Sequence, residues 1–122
     1  MRILIVDSNL VFARKVGEFL QRHLKEVIVD YASNVPILRR RLRDPNAYDY
    51  IIADIFTAFD AKAMHEVLRT VDTPMLVWSI LKSPEHMGVF RGKLAKQVVP
   101  KPDDEAGIEA AMSSVMTQTV GH

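Results

Sequence analysis

Five short apolar runs, each rich in Val, Ile or aromatic side chains and bounded by polar residues, recur at Ile3–Val6, Val27–Tyr31, Tyr50–Ala53, Met75–Trp78 and Val98–Val99. Runs of this length and composition predict buried strands. Between them the apolar spacing changes to the helical period. Phe12, Val16, Phe19, Leu20 and Leu24 share one face of a first helix, in which Gly17 costs about 1 kcal/mol against alanine that packing must offset. A second helix starts with Asn34 as cap and Pro36 in its first turn, carries Ile37, Leu38 and Leu42, and stops at Asp44-Pro45-Asn46. A third spans about 61–70 with Met64, Val67 and Leu68 inward, before Asp72-Thr73-Pro74. Ser83-Pro84-Glu85 opens a fourth, weakened by Gly88 and Gly92, that carries Met87, Phe90 and Leu94. The last begins at Asp103 or Asp104, places Ile108, Ala111, Met112, Val115 and Met116 on one side, and is expected to fray over 117–122. Strands alternating with helices in this way predict an α/β fold, a parallel sheet covered by helices on both faces.

Composition narrows what such a fold can do. Sixteen Lys and Arg against fifteen Asp and Glu leave a formal net charge of +1, which argues against a nucleic-acid cradle or a membrane patch. The 122 residues, 48% apolar and 25% charged, fit one soluble domain over 1–122, with no internal repeat, no linker and no output domain after the last helix. Without cysteine there is no disulfide framework, thiolate nucleophile or Cys-type zinc site, and a reducing, cytoplasmic home fits. The apolar run before Asp7 is far short of a signal-peptide core or of the roughly 20 residues a membrane span needs. Arg39, Arg40, Arg41 and Arg43 could form an RNA or acidic-partner patch, but with Ile37, Leu38 and Leu42 as the apolar positions they read more simply as a solvated helix face. His23, His65, His86 and His122 lack metal-ligand spacing, and the methionines fall mostly at core-facing helix positions.

Ligands of parallel sheets bind beyond the carboxyl ends of the strands. There the first strand ends in Asp7, the third in Asp54, the fourth in Ser79, and the fifth runs into Lys101-Pro102. Alone, Asp54 reads equally well as a turn or cap residue. Together, two carboxylates repel unless a divalent cation or an ammonium shares their site; Mg²⁺ and Lys101 would do both. The first strand–helix junction, Asp7-Ser8-Asn9-Leu10, has no glycine, so the dinucleotide fingerprint and the Walker phosphate loop are absent, as is the small-residue loop of a flavin phosphate site. No Gly-x-Ser-x-Gly elbow surrounds Ser79 and no base stands near Ser8, so a serine hydrolase is poorly supported.

From Ile3-Leu4-Ile5-Val6-Asp7 through Tyr48-Asp49-Tyr50-Ile51-Ile52-Ala53-Asp54 to Val98-Val99-Pro100-Lys101-Pro102, the chain resembles the CheY-like receiver domain of two-component response regulators. The resemblance implies a (βα)5 flavodoxin-like, doubly wound parallel sheet of order 2-1-3-4-5 and a Lys101–Pro102 bond of a kind often cis in that family. It implies Asp54 as phosphoacceptor, Ser79 as the hydroxyl that follows the phosphoryl group, and Lys101 as the ammonium that neutralises it. Asp7, Asp54 and the backbone carbonyl of Phe56 would hold Mg²⁺. A histidine kinase or phosphotransfer protein would donate the phosphoryl group, which the chain accepts without being an enzyme in the ordinary sense. A downstream protein or a second copy, as a homodimer, would read the switch through the face of the fourth helix, fifth strand and last helix, where Arg91, Lys93 and Lys96 lie.

Several positions depart from the family pattern. Ser8 stands where a second acid normally touches the metal, so magnesium affinity should fall. Thr57-Ala58 replaces a common Met-Pro. Val98 replaces an aromatic that swings between rotamers, and valine has almost no room for that swing. Phe56 and Leu81 would shield a phosphoryl group or block its donor. The alternative is a pseudo-receiver, an interaction or dimerisation module that keeps the fold without phosphate chemistry. A remote third reading, a haloacid-dehalogenase-like phosphatase, finds echoes in Asp7, Ser79, Lys101 and Asp103-Asp104. Asn9 breaks it, standing where the acid–base aspartate is needed.

Overall fold

The computed structural model describes residues 1–55, 60–80 and 98–120. The element order is β1 (Arg2–Asp7), α1 (Leu10–His23), β2 (Ile28–Ala32), α2 (Val35–Arg41), β3 (Tyr50–Asp54), α3 (Ala61–Leu68), β4 (Met75–Ser79), β5 (Val98–Pro100) and α4 (Glu105–Val120). The strands form one five-stranded sheet in the order β2-β1-β3-β4-β5, and every pairing is parallel. The fourth helix expected from Ser83 lies outside the described residues, together with Phe56, Thr57-Ala58, Leu81, Arg91, Lys93 and Lys96.

Strand alternation divides the core into two layers. Leu4 and Val6 of β1, Ile51 and Ala53 of β3 and Val77 of β4 pack with Leu38, Met64 and Leu68 of α2 and α3. Ile3, Ile5, Tyr50, Ile52 and Trp78 face the other way, onto Ala13, Val16, Phe19 and Leu20 of α1 and Ile108 and Met112 of α4. The expectation of five buried strands needs correction at the edges. Strands β1 and β3 are buried almost throughout, but β2 and β5 are mostly half-buried or exposed, because an edge strand has a neighbour on one side only.

The caps follow the sequence closely. Asn9 and Asn34 each accept a hydrogen bond from the backbone N–H three residues on, at Phe12 (3.1 Å) and Ile37 (3.0 Å), and Pro36 sits in the first turn of α2. Helix α3 stops at Leu68, short of the expected 70, and the Thr70 hydroxyl donates to the Val67 carbonyl at 2.7 Å. The tail of α4 differs from expectation: helical backbone continues to Val120, and the stretch from 117 to 120 contains no glycine or proline to stop it. Gly17 has a specific role. A Cβ there would lie 2.1 Å from the Tyr31 hydroxyl oxygen and 3.3 Å from a Val29 methyl, so its absence lets α1 lie close over β2.

Candidate functional site

Parallel register sets Asp7 directly beside Asp54, at the carboxyl ends of β1 and β3. Both continue the rows Ile3-Ile5 and Tyr50-Ile52, which face α1 and α4. Both are buried, at 1% exposure each. Lys101 follows β5 and closes the cluster: its Nζ donates to Asp7 Oδ2 at 2.8 Å and to Asp54 Oδ2 at 2.7 Å, with only 6% of the lysine side chain exposed. The sequence-predicted carboxylates and ammonium therefore meet at one rim.

Several contacts fix this geometry. The Lys101 backbone N–H donates to the Ser79 carbonyl at 2.9 Å, which anchors the turn after β5 to the end of β4. Ser79 itself is buried at 2% exposure. Asp7 Oδ1 accepts the Asn9 backbone N–H at 2.8 Å, so the β1–α1 turn holds the carboxylate while the Asn9 side chain caps α1. The Lys101–Pro102 bond is trans, as are the other described peptide bonds, correcting the expectation of a cis bond. Trans is the ordinary state of an X–Pro bond, and from it the ammonium already reaches both carboxylates. Gly107 of α4 leaves room for the turn, since a Cβ there would sit 2.6 Å from Pro102 Cβ.

Sequence reading missed two participants. Phe12, assigned only to the apolar stripe of α1, places its ring 4.3 Å below Lys101 Nζ in a cation–π contact worth about 0.5–2 kcal/mol. Its ring also meets Trp78 edge-on, with centroids 5.5 Å apart and planes at 68°, so the indole is one ring removed from the ammonium. The signal was the position of Phe12 in the first turn after the acidic junction. Gly107 was missed because its partner, Pro102, is close in sequence but separated from it by the turn into α4.

Burial pushes the Asp7 carboxyl above its ordinary 3.8; the Lys101 and Asn9 hydrogen bonds and the Lys101 charge oppose this, and the Asp54 charge adds to it. Two buried carboxylates share one ammonium, so with all three ionised the pocket holds an excess negative charge. That excess and the hard oxygen donors of Asp7 and Asp54 fit a divalent cation. Ser8 is exposed and offers a hydroxyl, and among the described residues no group of three potential metal-ligating side chains occurs. Asp7 and Asp54 are thus the two carboxylate side chains at this rim that could offer oxygen donors to such a cation. The paired acid of the phosphatase reading goes elsewhere: Asp103 and Asp104 are exposed, and Asp104 Oδ1 accepts the Gly107 N–H at 2.7 Å at the start of α4.

The fold is that of response-regulator receiver domains. The Francisella response regulator 1452 receiver domain matches 97% of this chain over 95% of its own, with a TM-score of 0.68 and 18% identity. The BeF3-activated solution structure of SdrG from Pseudomonas melonis Fr1 matches 94% of this chain over 95% of its own, with a TM-score of 0.63 and 20% identity. No family model and no curated protein matches the sequence. No helix among the described residues is long and apolar enough to cross a membrane.

Proposed function

We propose that this chain is a two-component receiver that accepts a phosphoryl group on Asp54 from a phosphohistidine donor and thereby switches a protein–protein interface. The observation that carries the reading is the buried bridge of Lys101 Nζ to Asp54 and Asp7 at 2.7 and 2.8 Å, at the rim where a receiver fold places its chemistry. An oxygen of the Asp54 carboxylate attacks phosphorus in line. The phosphorus–nitrogen bond to the imidazole breaks, its electron pair leaves with the histidine nitrogen, and an acyl phosphate forms. Lys101 stabilises charge on the equatorial oxygens, and burial strengthens that attraction. Asp7 and Asp54 would be the side chains to hold Mg²⁺, which when bound would supply further positive charge.

Ser79, at the end of β4, would supply the hydroxyl that donates to the new phosphoryl oxygens. Its movement would shift the chain after β4, and with it the face that a downstream protein or a second copy reads. The BeF3-activated state of SdrG, a receiver of the same fold, supports a switching role of this kind. Val98 is half-buried and packed against the α2–α3 core layer, so the switch here rests on Ser79 and the Lys101 turn rather than on a swinging aromatic.

Incubation with acetyl phosphate, with and without Mg²⁺, followed by intact mass, tests the reading. Wild type gains one phosphoryl group and Asp54→Asn gains none. Equal masses for both, with and without metal, would instead support the interaction-module alternative.

A further inference from the structure

At the carboxyl end of the edge strand β2, Leu10 and Arg14 of α1, Tyr31 of β2 and Ile37, Arg40 and Arg41 of α2 line a cavity of about 310 Å³. We propose that this cavity docks an acidic segment of a partner protein, with carboxylates set against Arg14 and Arg40 and an apolar side chain set against Leu10, Tyr31 and Ile37. Three guanidinium-bearing side chains line it and no carboxylate does. Arg41 is fixed from behind: its Nε donates to the Tyr31 carbonyl at 3.3 Å, and its Nη1 lies 3.9 Å from Asp30. Arg14 and Arg40 are exposed, and neither has an ion-pair partner among the described residues. Glu18, one turn beyond Arg14, lines a different groove, between α1 and α4. An anion entering the cavity would relieve the mutual repulsion of the arginines and satisfy guanidinium forks suited to carboxylates.

The apolar half of the cavity selects the class of partner. Leu10, in the lining beside the basic wall, is 40% exposed. A nucleic acid is favoured by a long cationic track that meets many phosphates, whereas this chain has a net charge of +1 and a single small cluster. Charge complementarity in a small, partly apolar groove is the pattern of peptide recognition. None of the lining residues belongs to the Asp54 pocket, so docking here does not depend on phosphorylation.

The test is amide-shift mapping of the full ¹⁵N-labelled chain titrated with a synthetic peptide of alternating glutamate and leucine. A lysine–leucine peptide and a single-stranded oligodeoxynucleotide of matching charge serve as comparisons. The expected result is saturable shifts at Leu10, Arg14, Tyr31, Ile37 and Arg40 with the acidic peptide alone, weakened roughly tenfold in Arg14→Glu/Arg40→Glu. Because that variant could be misfolded, wild-type affinity is also measured against NaCl concentration and must fall as salt rises. Shifts that are absent or lie elsewhere, equal binding of the lysine–leucine peptide, salt-independent affinity, or tighter binding of the oligonucleotide would each overturn the proposal.

Discussion

Asp7 is the residue at which the proposed phosphoryl chemistry and stability oppose each other. Its carboxyl is buried, its pKa is raised chiefly by that burial, and one ammonium serves both it and Asp54. The sign follows directly. An acid whose folded pKa lies above its unfolded value favours folding at low pH and loses that contribution as pH rises through the folded value. Asp7→Asn should therefore raise the melting temperature at pH 7 by a few degrees, and the gain should shrink as the pH approaches 3.8. A thermal melt series over that range checks it. Lys101→Met acts in the opposite direction: it removes the ammonium from two buried carboxylates and should cost about 3–5 kcal/mol in urea denaturation at neutral pH. The acids and the lysine were legible in the sequence because each stands at the end of an apolar run. The ring beneath the ammonium was not, because Phe12 also satisfies the helical stripe and nothing local separates the two roles.

Elements meet through contacts that propensity alone does not reveal. Gly17 looked like a cost to α1, yet the Tyr31 hydroxyl fills the space a side chain would take. Gly17→Ala should destabilise wild type, but in a Tyr31→Ala background the helix propensity gain of about 1 kcal/mol should show. A double-mutant cycle by chemical denaturation decides between close packing and a merely tolerated glycine. Midway along β2, Asp30 accepts hydrogen bonds from the Tyr48 hydroxyl at 2.7 Å and from Arg2 Nη2 at 3.1 Å, joining β2 to β1 and to the approach of β3. Burial, then the Asp30 hydrogen bond and charge, push the Tyr48 hydroxyl up to about 12 from 10.0. This contribution is complete below pH 10 and should be lost between pH 10 and about 12, visible as tyrosinate absorbance rising together with loss of structure. Caps and strand cores could be read from single residues. Such pairings could not, because Gly17 with Tyr31 and Asp30 with Tyr48 are each joined by the sheet rather than by sequence period.

For the molecule as a whole, the alternation of short apolar runs with helical stripes pointed to a parallel sheet covered by helices, the receiver resemblance implied the order 2-1-3-4-5, and that order brings Asp7, Asp54 and Lys101 together. What the pattern could not supply was the uneven burial of the strands, since a run such as Val27–Tyr31 reads the same at an edge as at the centre. Mg²⁺ binding should be weak and should report through Trp78, whose indole touches Phe12, which in turn touches Lys101. A fluorescence titration checks this, and a tight, saturable response would contradict the part assigned to Ser8. The central claim is that the carboxylate at position 54 is the group that accepts phosphorus. The most direct measurement is borohydride reduction of the acetyl-phosphate-treated chain followed by peptide sequencing in the mass spectrometer. Homoserine at position 54 alone is the result the account predicts; homoserine at another aspartate, or at none, would contradict it.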